Sequence, residues 1–113
     1  MTSEELLAQL AAVGHVQRLR IIAELAKGQL HVSELARRLG LSRPLLYMHL
    51  ERMEKAGLVT GRLELSADGK AMKYMELTPF ELKVTTQTVL DALREDALHG
   101  DADAAAILER GDT

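Results

Sequence analysis

Four residues, Leu39-Gly40-Leu41-Ser42, limit what this chain can fold into more than any other stretch. Before them, Glu34 to Leu39 reads as a short helix with Leu35 and Leu39 on one face and Arg37 and Arg38 facing out. Ser33 is placed to cap that helix, with Glu34 near its positive end. After them, Ser42 is placed to cap a helix of about residues 43–56. Pro44 falls in its first turn, where a missing N–H costs nothing, and Leu46, Leu50 and Met53 form its inward stripe. Gly40 can take the left-handed conformation so short a connection needs, and Gly57 closes the second helix in the same way. A turn this tight sets the two helices at a steep angle.

The flanks add further elements. Ser3 predicts a helix over 4–12 with Leu6, Leu7 and Leu10 on one stripe. Val16, Leu19, Ile22, Ala23 and Ala26 predict a second helix over 15–27, ended by Gly28, and Gln29 to Val32 is short and extended. Apolar and charged residues then alternate in Arg62-Leu63-Glu64-Leu65 and again in Lys73-Tyr74-Met75-Glu76-Leu77, as in half-buried strands. Ser66-Ala67-Asp68-Gly69-Lys70 between them makes a hairpin. Thr78 and Pro79 read as the cap and first residue of a last helix reaching about Leu98, with Leu82, Thr86, Val89, Leu93 and Ala97 as a heptad-like seam. Residues 101–113, rich in Asp and Ala, read as an acidic tail that forms a short helix or frays.

At 113 residues the chain is expected to be one domain. It has no Cys, which excludes disulfides, thiolate metal sites and Cys nucleophiles. No apolar run reaches the 18 residues of a membrane span, and the acidic start Met1-Thr2-Ser3-Glu4-Glu5 does not read as a signal peptide, so a cytoplasmic location without membrane contact is expected. The net charge of −3 conceals a division. Residues 1–14 carry two acids and no base, residues 15–77 eleven bases and seven acids, and residues 78–113 three bases and eight acids, giving −2, +4 and −5. A basic centre between acidic ends fits a middle that faces a polyanion, or simply an uneven solvated surface.

Two short helices followed by a hairpin make a winged helix-turn-helix, in which the second helix can enter a major groove about 12 Å wide. Residues 15–78 resemble the ArsR/SmtB-type bacterial winged-helix repressors. The likeness rests on Arg18-Leu19-Arg20-Ile21-Ile22, Val32-Ser33-Glu34-Leu35-Ala36, Leu39-Gly40-Leu41-Ser42, His49-Leu50, Met53, Lys55-Ala56-Gly57-Leu58-Val59 and Lys73 to Thr78. The hairpin is also similar to that of the PadR-like and MarR-like branches. The resemblance implies a mainly α (α+β) fold of about five helices with a β-hairpin wing. It implies a single winged-helix domain over 1–100, with a DNA-binding core at 15–78 and the terminal helices, 3–12 and 79–98, forming a homodimer interface. It further implies a sequence-specific regulator, a repressor, that binds double-stranded operator DNA.

The residues expected to meet DNA are Arg37, Arg38, Ser42, Arg43, Pro44, Leu45, Tyr47, Met48, His49, Arg52, Lys70 and Lys73. Those expected at the dimer interface are Leu6, Leu7, Leu10, Leu82, Thr86, Val89, Leu90, Leu93 and Ala97. Where the family carries small polar residues on its recognition helix, this chain has Pro44, Leu45, Tyr47 and Met48. That apolar face suits thymine methyls, with a Tyr47 hydroxyl and an Arg43 guanine contact beside them, or else a protein or ligand surface. The alternative reading is therefore a winged-helix protein-interaction module that does not bind DNA. Metal sensing is not expected: the third helix has no Cys, and Asp91, Glu95, Asp96 and His99 on the last helix lack the two-His pattern of the family's other site. His15 at a helix start is expected neutral or solvent-facing, and His99 near a helix end suits a cation. No cofactor is expected, and a small organic effector, or none, fits better than a metal. No nucleophile–base set, paired acid or phosphate loop stands out, so the chain does not read as an enzyme.

Overall fold

The structure, a computed structural model, describes residues 1–100 and 102–111. In chain order the elements are α1 (Ser3–Val13), α2 (Val16–Leu25), β1 (Leu30–His31), α3 (Val32–Leu39), α4 (Arg43–Lys55), β2 (Val59–Leu65), β3 (Ala71–Leu77), α5 (Thr86–Leu98) and α6 (Ala102–Gly111). They form two compact units: residues 11–80, and residues 1–10 together with the described residues from 81 onward.

The first unit is a winged helix-turn-helix. Its core joins Ile21 and Leu25 of α2, Val32, Leu35, Ala36 and Leu39 of α3, Leu46, Leu50 and Met53 of α4, and Leu58, Val59 and Met75 at the base of the hairpin. Gly40 carries α3 into the turn with φ of 66°, the left-handed conformation expected of it. The Leu41 N–H then donates to the Ala36 carbonyl at 3.0 Å, which satisfies the helix end. Ser42 caps α4: its Oγ accepts from the Leu45 N–H at 3.3 Å. Gly57, with φ of 77°, closes α4, and the Leu58 N–H reaches back to the Met53 carbonyl at 2.9 Å.

The three strands are antiparallel in the order β1-β3-β2. Leu65 pairs with Ala71 at the open end and Val59 with Leu77 at the base. The expected half-burial of the hairpin is not found. Val59 and Met75 are buried, but Leu63 and Leu65, on the same face of the ribbon, are 72% and 77% exposed. Beyond Arg62 only two strands remain, so alternation in the sequence continues where no core lies under it.

Three helix boundaries differ from expectation. In α3 the cap is His31, not Ser33: its Nδ1 accepts from the Glu34 N–H at 3.3 Å, and the helix begins at Val32. In α2 the buried face is Arg18, Ile21 and Leu25, whereas Val16 and Leu19 are exposed. Its start is capped by the exposed ring of His15, whose Nδ1 accepts from the Gln17 N–H at 3.1 Å. The last long helix does not open at Thr78-Pro79. The Thr78 N–H continues the hairpin by donating to the Leu58 carbonyl at 2.9 Å, and residues 79–85 are irregular. A capping box starts α5 instead: Thr85 Oγ1 accepts from the Thr88 N–H at 3.2 Å, and Thr88 Oγ1 accepts from the Thr85 N–H at 3.1 Å.

In the second unit, α5 and α6 pack together, with Ala92 and Ala104 buried. The start of α1 is tied to α5, since the Ser3 N–H donates to Asp96 Oδ1 at 3.0 Å and the N-terminal ammonium pairs with Glu95. Hydrogen bonding from the Ser3 side chain, then from its backbone N–H, holds the Asp96 carboxyl below its ordinary range. Residues 102–111 of the expected tail are thus largely helical, while Asp101, Asp112 and Thr113 lie outside the described residues. No helix among the described residues is long and apolar enough to cross a membrane.

Candidate nucleic-acid interface

The turn at Gly40 leaves the first two turns of α4 open to solvent on the side away from the core. Arg43, Pro44, Leu45, Tyr47 and Met48 are all exposed there. Leu45 is 40%, Tyr47 41% and Met48 44% accessible, so each presents a substantial apolar surface. Beside them, α4 and the wing enclose an open cleft of about 570 Å³ whose lining includes His31, Val32, Ser33, Arg43, Tyr47, Leu63, Lys70, Met72 and Lys73.

The cations around this cleft are differently placed. Arg43 is steered by a bond from its Nη2 to the Ser33 hydroxyl. Ser33, read from the sequence as a cap, therefore positions an α4 side chain instead. The Lys73 ammonium lies 5.7 Å from the centre of the Tyr47 ring and 3.6 Å from a Glu54 carboxylate oxygen. Gly61 permits that path: a Cβ there would stand 2.8 Å from Lys73 Cε and 3.0 Å from Met75 Sδ. Lys70 at the wing turn and Arg52 in the last turn of α4 form no ion pair among the described residues.

Arg37 and Arg38 are not free cations. Arg37 Nε donates to Glu34 Oε2 at 2.9 Å and its Nη2 to Oε1, a two-pronged pair within α3. Arg38 Nε reaches Glu34 Oε1 at 3.0 Å, and its Nη1 reaches Glu24 Oε2 at 3.2 Å. Hydrogen bonds from Arg37 and then Arg38 draw the Glu34 carboxyl down to about 2, so it is ionised throughout the physiological range. The positive end of α3 is thus already largely neutralised.

His49 lies under this surface, not on it. It is 1% exposed, and its Nδ1 accepts from Arg18 Nε at 3.2 Å, which puts the ring proton on Nε2. Arg18, itself 6% exposed, also donates through Nη1 to the Ala11 carbonyl. The His15 ring stands 4.7 Å from that of His49. Burial first, then its neighbours His15, Arg18 and Arg52, push the His49 imidazole below its ordinary range. Sequence reasoning missed Arg18 because an arginine at helical spacing with Ile21 and Leu25 is ordinarily assigned outward.

Of the residues expected at a dimer interface, Leu6 is already buried within the chain. Leu7, Thr86 and Val89 are exposed, and Leu10, Leu82, Leu90, Leu93 and Ala97 are partly covered. Leu82 precedes the helix, so the expected seam is interrupted. Among the described residues, no group of three or more His, Cys, Asp or Glu side chains could hold a metal ion.

Comparison with known proteins follows the same pattern. The sequence pattern of the family described as "Bacterial regulatory protein, arsR family" matches residues 15–60. Among solved structures, the transcriptional regulator HlyU from Vibrio vulnificus is 34% identical, with a TM-score of 0.55 over 68% of this chain and 75% of that one. HlyU from Vibrio cholerae is 29% identical, with a TM-score of 0.57 over 86% of this chain and 90% of that one. A transcriptional regulator of the MarR family from Enterococcus faecalis is 25% identical, with a TM-score of 0.56 over 89% of this chain and 86% of that one. No curated protein sequence gives a significant match.

Proposed function

The chain belongs to the ArsR family of bacterial transcriptional regulators, and from that premise we propose that it is a homodimeric repressor that occupies promoter DNA in the cytoplasm. The observation that carries this reading is the open N-terminal half of α4, capped by Ser42 and flanked by Arg43, Lys70 and Lys73. A helix so placed enters a major groove while the flanking cations meet phosphates on either side. Exposed apolar side chains on the terminal helices, Leu7, Val89 and Leu98, support pairing of two copies there. A two-fold dimer sets the distance between its recognition helices, and an organic effector that alters dimer geometry would alter that spacing.

The test is binding to duplex DNA from upstream of the chain's own gene, followed by fluorescence anisotropy over a salt series. Affinity is expected to fall steeply with salt. Tyr47→Ala should lose selectivity for the operator, whereas Arg43→Ala and Lys73→Ala should weaken binding to all sequences alike. Light scattering should give a mass of about twice 12.4 kDa. Absence of any complex at low salt would move the reading to an interaction module that does not bind DNA.

A further inference from the structure

On the DNA-binding reading above, we propose that the specificity of α4 is carried by thymine methyl groups, with Leu45, Tyr47 and Met48 as the side chains that select them.

The first two turns of α4 offer little that can read hydrogen bonds. Arg43 is engaged by the Ser33 hydroxyl, and Pro44 has a purely apolar side chain. Of the three remaining exposed side chains, only Tyr47 carries a strong hydrogen-bonding group, and its ring lies beneath the Lys73 ammonium. In the major groove, every base-edge feature except one is a polar donor or acceptor, and the exception is the C5-methyl of thymine. Leu45 and Met48 therefore gain from an A·T pair, where they remove a methyl from water. Either base pair costs them water on its polar edge groups, but only an A·T pair returns a methyl removed from water. The same apolar surface thus discriminates between the two base pairs.

Charge decides the occupant. The adjoining cleft is lined by Arg43, Lys70 and Lys73 against a single carboxylate, Asp68. A polyanion satisfies Arg43 and Lys70, which have no carboxylate partner among the described residues, while the apolar side chains meet its bases; an apolar protein surface would leave those two uncompensated.

The experiment compares normal and deoxyuridine-containing DNA, since dU lacks only the methyl group. Preferred duplexes are selected from a random library with the whole protein, then resynthesised with dU replacing single thymines. Selected duplexes should share thymines at fixed positions, and each dU there should weaken binding about fourfold, the value of one methyl removed from water. Substitution outside those positions should change nothing. The Leu45→Ala/Met48→Ala double variant changes only exposed side chains and should narrow the difference between dT and dU duplexes, leaving only what Tyr47 contributes. Selective binding that ignores dU at every position overturns the inference and leaves the regulator reading intact. Failure to select any duplex at low salt overturns that reading, and the inference falls with it. The dU comparison requires no variant, so a folding defect cannot obscure the result.

Discussion

The pair Arg18–His49 should make the winged-helix unit respond unequally to loss of its two partners. Removing the imidazole with His49→Ala leaves a guanidinium that is only 6% exposed with the Ala11 carbonyl as its remaining partner. The hydrogen bond lost is one to a charged group, about 1.5–3 kcal/mol, and the cavity left by the ring adds roughly 1–2 kcal/mol. Removing the charge with Arg18→Met leaves the Nδ1 of His49 without its donor, but it also ends the burial of a cation among other cations. Met refills much of the space, so the net cost should be about 1–2 kcal/mol. His49→Ala should therefore be the more damaging change, by about 2 kcal/mol in urea unfolding. Because Asn Oδ1 occupies the place of His Nδ1, His49→Asn should recover the part due to the hydrogen bond.

The same pair sets an acid limit. The folded-state pKa of His49 lies below its ordinary 6.5. Between that lowered value and 6.5 the unfolded chain binds a proton that the folded chain refuses, so stability rises with pH in this window. The contribution is fully present above 6.5 and is lost progressively as pH falls below it. His49→Asn, which cannot titrate, should be flatter than the parent as pH falls below 6.5. Unfolding must be followed at one protein concentration, because association would otherwise enter the midpoint. The reasoning is refuted if Arg18→Met proves the worse variant, or if His49→Asn keeps the parent's full acid dependence.

Three further outcomes follow from particular contacts. Glu34→Gln should release Arg37, while Glu24 still holds Arg38, raising DNA affinity at low salt and steepening the plot of log affinity against log salt by about 1; an unchanged slope would show that the Arg37 guanidinium does not reach phosphate. Gly40→Ala should cost about 1–2 kcal/mol in denaturant unfolding, because φ of 66° strains any side chain although the space around it is open. Thr78→Val should raise stability by roughly 1 kcal/mol, since Thr78 Oγ1 is buried without a partner among the described residues and a methyl asks for none; a lower melting midpoint would show that the hydroxyl is satisfied.

What could be read from the chain was what it encodes locally. Ser42, Gly40, Gly57 and the Asp68-Gly69 turn act through backbone groups only a few residues away, so their chemistry is visible in a short window. The apolar stripe of α4 was equally plain, because Leu46, Leu50 and Met53 recur at helical spacing without competition. On these signals rest the turn, the recognition helix and the position of the wing.

What stayed hidden depends on partners distant in sequence. Arg18 turns inward because His49 stands 31 residues away to accept its proton, a fact no helical wheel contains. Thr78-Pro79 carries a good helix-start signal, but its N–H is claimed by Leu58 across the hairpin, and the reciprocal bonds of Thr85 and Thr88 then begin the helix seven residues later. Arg37 and Arg38 add to the basic charge of the middle of the chain, but Glu34 and Glu24 hold them. The division of charge along the chain therefore overstates the positive surface around α3 and leaves the polyanion-facing character with Arg43, Lys70, Lys73 and Arg52. That redistribution turns attention from the abundance of bases to their position: three of these four line the cleft beside Leu45, Tyr47 and Met48, where an apolar reading head needs phosphate contacts to hold it against the bases.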